Sequence, residues 1–106
     1  MDEFLDHAGS MLQSQSEDAW KSFLRLCLQI QDEKLLNDFF QLFFTHEERD
    51  ALTTRFLIIR ELLRGKMTQR EMAEQLKVSI AKITRGSNAM KSIDASLEQF
   101  LENFFK

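Results

Sequence analysis

Thr68-Gln-Arg-Glu-Met-Ala-Glu-Gln-Leu-Lys-Val-Ser-Ile-Ala-Lys-Ile-Thr-Arg-Gly-Ser-Asn-Ala-Met-Lys91 has the spacing of a helix-turn-helix. That motif is two short helices joined by a tight turn, the second able to enter a DNA major groove. Thr68 and Glu71 make a capping-box pair for the first helix. Met72, Ala73 and Leu76 form its inner face, with small Ala73 where the two helices must come closest. Lys77 and Val78 are the turn, and Ser79 is the N-cap of the second helix. Ile80, Ile83 and Met90 give that helix an inner face at helical spacing. Such turns commonly carry glycine where Lys77 stands, because the position often needs positive φ; the lysine is a departure.

The charge distribution fits a nucleic-acid partner once it is divided. The chain of 106 residues has a net charge of −3. Between Arg55 and Lys91, however, nine cations face three anions, Glu61, Glu71 and Glu74, giving +6 and leaving −9 for the remainder. A basic module on an acidic body concentrates phosphate attraction on one face and repels DNA elsewhere. Within the motif, Ile80, Ala81 and Thr84 are small or apolar groups suited to close approach and to thymine methyls. Arg70 on the first helix suits bidentate hydrogen bonding to guanine. Gln69, Lys66, Lys77, Lys82 and Lys91 suit phosphates, which position a protein without reading sequence. The competing reading of these charges is a solvated helix pair.

Outward from the motif the chain reads as all helix. Proline is absent, glycine occurs only at Gly9, Gly65 and Gly86, and no run alternates like a surface strand. Residues 1–14 lack helical periodicity and are expected to form a flexible N-terminal arm, with residues 15–106 a single helical domain for DNA binding and dimerisation. Ser14 or Ser16 is expected to start a helix to about residue 31, with Trp20, Phe23, Leu24, Cys27, Leu28 and Ile30 as its apolar stripe. A shorter helix over about 34–43 is apolar on more than one side. Thr45-His-Glu-Glu48 is a second capping box, opening a long helix with Leu52, Phe56, Ile59, Leu62 and Leu63 inside and Gly65 as its stop. After Asp94, Leu97, Phe100, Leu101, Phe104 and Phe105 mark a last helix, the sixth.

Apolar bulk points to association. A chain of this size buries only roughly 60–65% of its unfolded surface. Ten phenylalanines, including the pairs Phe39-Phe40, Phe43-Phe44 and Phe104-Phe105, cannot all face one small core. Burial by a partner is the simplest remedy. Cys27 is a single cysteine in an apolar stretch and reads as a small core residue. Asp2, Glu3 and Asp6 do not make a secretory signal and no apolar run approaches about 20 residues, so a soluble cytoplasmic protein without membrane contact is expected.

Catalysis has little support. His7 and His46 are the only histidines, no His/Cys/Asp cluster has metal-ligand spacing, and no glycine-rich loop suits phosphates. Glu47-Glu48 is explained by the preference of acids for a helix N-terminus. No catalytic residue, metal site or enzyme activity is expected.

Ile83-Thr84-Arg85-Gly86-Ser87-Asn88 closely resembles the signature of the bacterial Trp repressor family, tryptophan-dependent regulators of tryptophan biosynthesis. Upstream, Thr45-His-Glu-Glu-Arg-Asp-Ala-Leu-Thr-Thr-Arg55 and Ile58-Ile-Arg-Glu-Leu-Leu-Arg-Gly65 match too, and the resemblance runs over about 20–105 without an internal gap. It implies a six-helix fold whose N-terminal helices interlace in a homodimer, with Trp20 in the shared core. It supports Gln69, Arg70, Ile80, Ala81 and Thr84 at the DNA. Ala73 stands where a well-known member has lysine, so one DNA contact is expected to be missing. In this family water carries many base contacts, so operator sequence is not deducible from side chains.

The resemblance also implies a site for L-tryptophan as corepressor. By the matching positions, Arg55 and Arg85 sandwich the indole and one of them also pairs with the carboxylate, tasks that suit the guanidinium plane and fork. Read without the resemblance, the two arginines are more often phosphate or ion-pair residues. Thr45 matches a further carboxylate contact, and Leu42 and Phe44 match partner-subunit residues whose carbonyls accept from the ammonium. Gly86 is expected to leave room beside the ring. Two positions depart: Ala89 replaces a serine whose hydroxyl accepts from the ammonium, and Lys82 replaces a threonine beside the pocket. Loss of one hydrogen bond to a charged group costs roughly 1–3 kcal/mol, about ten- to hundredfold in affinity. The expectation is a tryptophan-responsive, homodimeric repressor acting on operator DNA. The rivals are a regulator that is ligand-independent or gated by another small molecule, and a helical protein–protein interaction module.

Overall fold

Local capping chemistry draws most of the element boundaries. The computed structural model describes the backbone of residues 2–106 and the side chains of residues 12–106. It contains six helices and, among the described residues, no strand: α1 Asp2–Leu28, α2 Glu33–Phe43, α3 His46–Arg64, α4 Gln69–Leu76, α5 Ile80–Met90 and α6 Ala95–Phe104. The helix expected from Ser14 or Ser16 starts at Asp2 instead. The preceding stretch holds no proline and one glycine, whose cost in a helix interior, about 1 kcal/mol, does not stop a helix. Of the arm expected over residues 1–14, residue 1 and the side chains up to residue 11 lie outside the described residues. At its other end α1 stops at Leu28, short of residue 31. Gln29 and Ile30 N–H groups bond back to the carbonyls of Leu26 and Cys27, and Asp32 then accepts from the Leu35 N–H at 2.9 Å to start α2. No helix among the described residues is long and apolar enough to cross a membrane.

The chain divides into two compact units, Met1–Phe43 and Phe44–Lys106. In the first, α1 meets α2 through aromatic rings. Phe23 stacks on Trp20 at 5.7 Å and on Phe39 at 5.4 Å, and Phe43 meets its edge at 5.4 Å. Such pairs add about 0.5–1.5 kcal/mol each beyond the area they bury. Yet no described residue of this unit is fully buried; Trp20 is 60% exposed and Leu42 78%.

In the second unit α3, α4 and α5 pack on one another around Ile58, Met72 and Ile83, with Leu62, Met67, Ala73, Leu76 and Val78 against them. Thr45 caps α3 with the full reciprocal box: its hydroxyl accepts from Glu48 N–H at 3.1 Å and its own N–H reaches Glu48 Oε1 at 2.8 Å. Gly65 ends α3 at φ 65°, as its place in the sequence suggests. At Thr68 the pair takes another form. The hydroxyl accepts from Glu71 N–H and donates to the Glu71 carboxylate at 3.2 Å.

The inner face of α3 differs from the one periodicity suggests. Leu52 and Phe56 are about half exposed, whereas Ile58 is buried. The helix is apolar on two sides: Ile58 and Leu62 meet the core, and Phe56 meets Phe105 at the end of α6, ring centres 5.5 Å apart. Ile80 was expected inside α5 but is exposed; Val78, in the turn ahead of it, packs against the core instead. Glu61 is buried, an unexpected place for an acid, and its Oε1 accepts from Arg60 Nε at 2.9 Å and Arg64 Nη1 at 3.2 Å.

Candidate functional site

Lys77 carries the turn between α4 and α5. It sits at φ 57° and ψ 48°, and it is the one non-glycine residue at positive φ among the described residues. The left-handed turn ends α4 through a bond from the Lys77 N–H to the carbonyl of Ala73. It lets Ser79 cap α5, the Ser79 hydroxyl accepting from Lys82 N–H at 3.2 Å. The expected DNA residues Gln69, Arg70, Ile80, Ala81, Lys82, Thr84 and Lys91 are all exposed. Among the described residues Arg70 is held only by Glu74, at 4.0 Å, with 91% of its side chain in solvent. A pair this loose and exposed is worth about 0–1 kcal/mol, so the guanidinium is free to exchange it for another acceptor. Lys91 at the end of α5 donates to Asn88 Oδ1 at 3.4 Å.

Behind that face, α3 and α5 come unusually close. A β-carbon added at Gly86 lies 2.8 Å from Ile58 Cγ2, tighter than real β-carbons allow. Glycine at this position is therefore first a packing requirement. The space beside Gly86 is filled by Ile58.

Next to this crossing lies a cleft of about 140 Å³ lined by Ala51, Thr54, Arg55 and Ile58 of α3 and Lys82 and Arg85 of α5. Three of the expected ligand residues, Arg55, Lys82 and Arg85, thus come together. Thr45, Gly86 and Ala89 do not line it, and the expectation for Leu42 and Phe44 concerns a second chain. Ala51, Thr54 and Ile58 were missed by sequence reading. Helical geometry was the available signal, since Ala51 and Ile58 stand four before and three after Arg55, and Thr54 stands three after Ala51 and four before Ile58. No carboxylate lines the cleft, and neither Arg55, Arg85 nor the Lys82 ammonium has a side-chain partner among the described residues. Three uncompensated cations around a cleft that Ala51 and Ile58 also line favour an anionic group there. Pockets for ligands of drug size run to about 300–1,000 Å³, so this cleft encloses only part of such a molecule. No group of three His, Cys, Asp or Glu residues suited to a metal occurs among the described residues.

The family model described as Trp repressor protein matches residues 18–104. A Trp operon repressor homolog of Chlamydia trachomatis serovar D is 50% identical over 91 residues, covering 86% of this chain and 97% of the relative. One from Chlamydia caviae is 48% identical over 93 residues, covering 88% and 92%. One from Haemophilus influenzae Rd is 35% identical over 89 residues, covering 84% and 88%.

Proposed function

The chain belongs to the Trp repressor family, one of transcription regulators rather than enzymes, and on that premise we propose that it is a homodimeric aporepressor that L-tryptophan converts to its operator-binding form. The observation that carries this reading is the cleft between α3 and α5, with Arg55 and Arg85 on opposite helices and no acid beside them. The two guanidinium planes take the faces of the indole, and Arg85 also holds the carboxylate. Thr45 keeps a hydroxyl proton to donate to the same carboxylate, since its lone pair already serves the α3 cap. The ammonium is received by carbonyls of Leu42 and Phe44 from the second subunit, which also encloses what one chain leaves open.

Occupying the cleft fixes the position of α5 against α3. Ile80, Ala81 and Thr84 then approach base edges, Arg70 reads guanine, and Gln69, Lys82 and Lys91 bind phosphates. By linkage, tryptophan and operator strengthen each other's binding by the same factor. Regulated genes would be those of tryptophan biosynthesis or uptake, and the protein would act in the cytoplasm.

Dimerisation is supported by large side chains left in solvent: Trp20, Leu42 and Phe43 in one unit, and Phe56, Phe100 and Phe104 in the other, each at least 46% exposed. Stable monomers rarely leave so many. Sedimentation should give twice the chain mass at micromolar concentration, and a folded monomer there would remove the two-chain ligand site. The deciding experiment for function titrates operator-like DNA with and without L-tryptophan. Equal binding in both, with no heat on adding millimolar L-tryptophan, would leave a ligand-independent regulator. Lys82 in the cleft favours one variant of the proposal, the same DNA binding gated by a ligand whose charge differs from that of tryptophan.

A further inference from the structure

The cleft's charge is unbalanced in one direction. Arg55 and Arg85 would meet the needs of a ring and one carboxylate, yet a third cation, Lys82, lines the same cleft and none of the three is offset by an acid. Lys82 is the third residue of α5, its backbone tied to the Ser79 cap, so its side chain starts from a fixed point on the helix. A further positive charge acts differently on three ligand types. It attracts an aromatic acid carrying a carboxylate alone and repels an aromatic amine. For a zwitterion the two effects largely cancel, since carboxylate and ammonium lie a few ångströms apart.

We propose that Lys82 is a specificity-determining residue that biases the cleft toward an indole carboxylate lacking the α-ammonium over zwitterionic tryptophan. This rests on the reading of the cleft as the ligand site. A unit charge about 6 Å away in water-like surroundings changes affinity by about threefold, and by about tenfold where the cleft excludes water.

The test is calorimetry on the full-length dimer at low salt with three probes: L-tryptophan, indole-3-propionate and tryptamine. Wild type should bind indole-3-propionate at least threefold more tightly than L-tryptophan and tryptamine most weakly of all. Lys82→Thr should weaken indole-3-propionate three- to tenfold, leave L-tryptophan within about twofold, and improve tryptamine. Lys82→Arg should keep the wild-type order, and raised salt should shrink the preference in wild type but not in Lys82→Thr. Circular dichroism checks that each variant is folded. If L-tryptophan binds wild type and the propionate-to-tryptophan ratio is unchanged by Lys82→Thr, the inference is overturned while the ligand-site reading stands. If none of the probes binds, both fall.

Discussion

Gly86→Ala probes whether the close crossing of α3 and α5 sets the cleft. The added methyl carbon would stand 2.8 Å from Ile58 Cγ2, where ordinary contacts begin near 3.4 Å, a shortfall of about 0.6 Å. Ile58 cannot easily yield. It is 1% exposed, and Cγ2 branches from a β-carbon whose rotation in a helix is confined to one preferred well. Overpacking of this kind costs about 1–3 kcal/mol. Replacing glycine by alanine inside a helix returns about 1 kcal/mol. The net effect is destabilisation by about 0–2 kcal/mol, each kcal/mol lowering the unfolding temperature by roughly 4–8 °C. Arg85 is the neighbour of Gly86 and Arg55 lies one turn from Ile58, so any widening of the helices also separates the two guanidinium groups. Tryptophan binding should fall by more than stability does. Ile58→Leu deletes the β-branch at nearly constant volume and should by itself cost less than about 1.5 kcal/mol. Thermal unfolding and calorimetric titration of wild type, both single variants and the double variant complete a cycle. The double variant should recover about 1 kcal/mol relative to additivity, together with ligand binding. A Gly86→Ala protein that gains the full helix-propensity increment, binds as wild type does and shows no coupling to Ile58→Leu would refute the argument.

Four further outcomes are expected. Lys77→Gly should stabilise the chain by about 0.5–1 kcal/mol in urea unfolding, because L-residues pay about 1–2 kcal/mol at left-handed φ and glycine gives back about half through the unfolded state. Glu61→Gln should destabilise by about 1–3 kcal/mol, since a buried acceptor serving Arg60 and Arg64 loses its charge; denaturant midpoints report it. Asp94 accepts the Leu97 N–H and the Ser96 hydroxyl, which hold its carboxyl below the usual value, the first contributing most. Its stabilisation of α6 is therefore complete above the ordinary carboxylate pKa and is lost as pH falls through the lowered one; an acid titration by circular dichroism should show that loss in wild type and not in Asp94→Asn. Arg70→Ala should reduce discrimination between operator and random duplex by about 1–3 kcal/mol, whereas Lys91→Ala should weaken both alike and lower the salt slope by roughly one unit. Equal effects of Arg70→Ala on both duplexes would make it a phosphate contact.

Residue order alone determined the helical class, the positions of the Thr45, Thr68 and Ser79 caps, the stop at Gly65 and the departure at Lys77. These rest on bonds spanning three or four residues, so the information sits within one window of the chain. The start of α1 was misjudged at the same range, where a polar stretch without apolar periodicity can still be helical. Which face of α3 turns inward was not decided locally. Its two apolar sides look alike in a periodic pattern, and only the approach of α4 and α5 selects Ile58 over Leu52 and Phe56. The burial of Glu61, the reason Gly86 must lack a β-carbon and the gathering of Lys82 with Arg55 and Arg85 likewise depend on where separate helices cross. Distance along the chain carries no record of that crossing, because burial and charge are summed over neighbours that only the tertiary fold brings together.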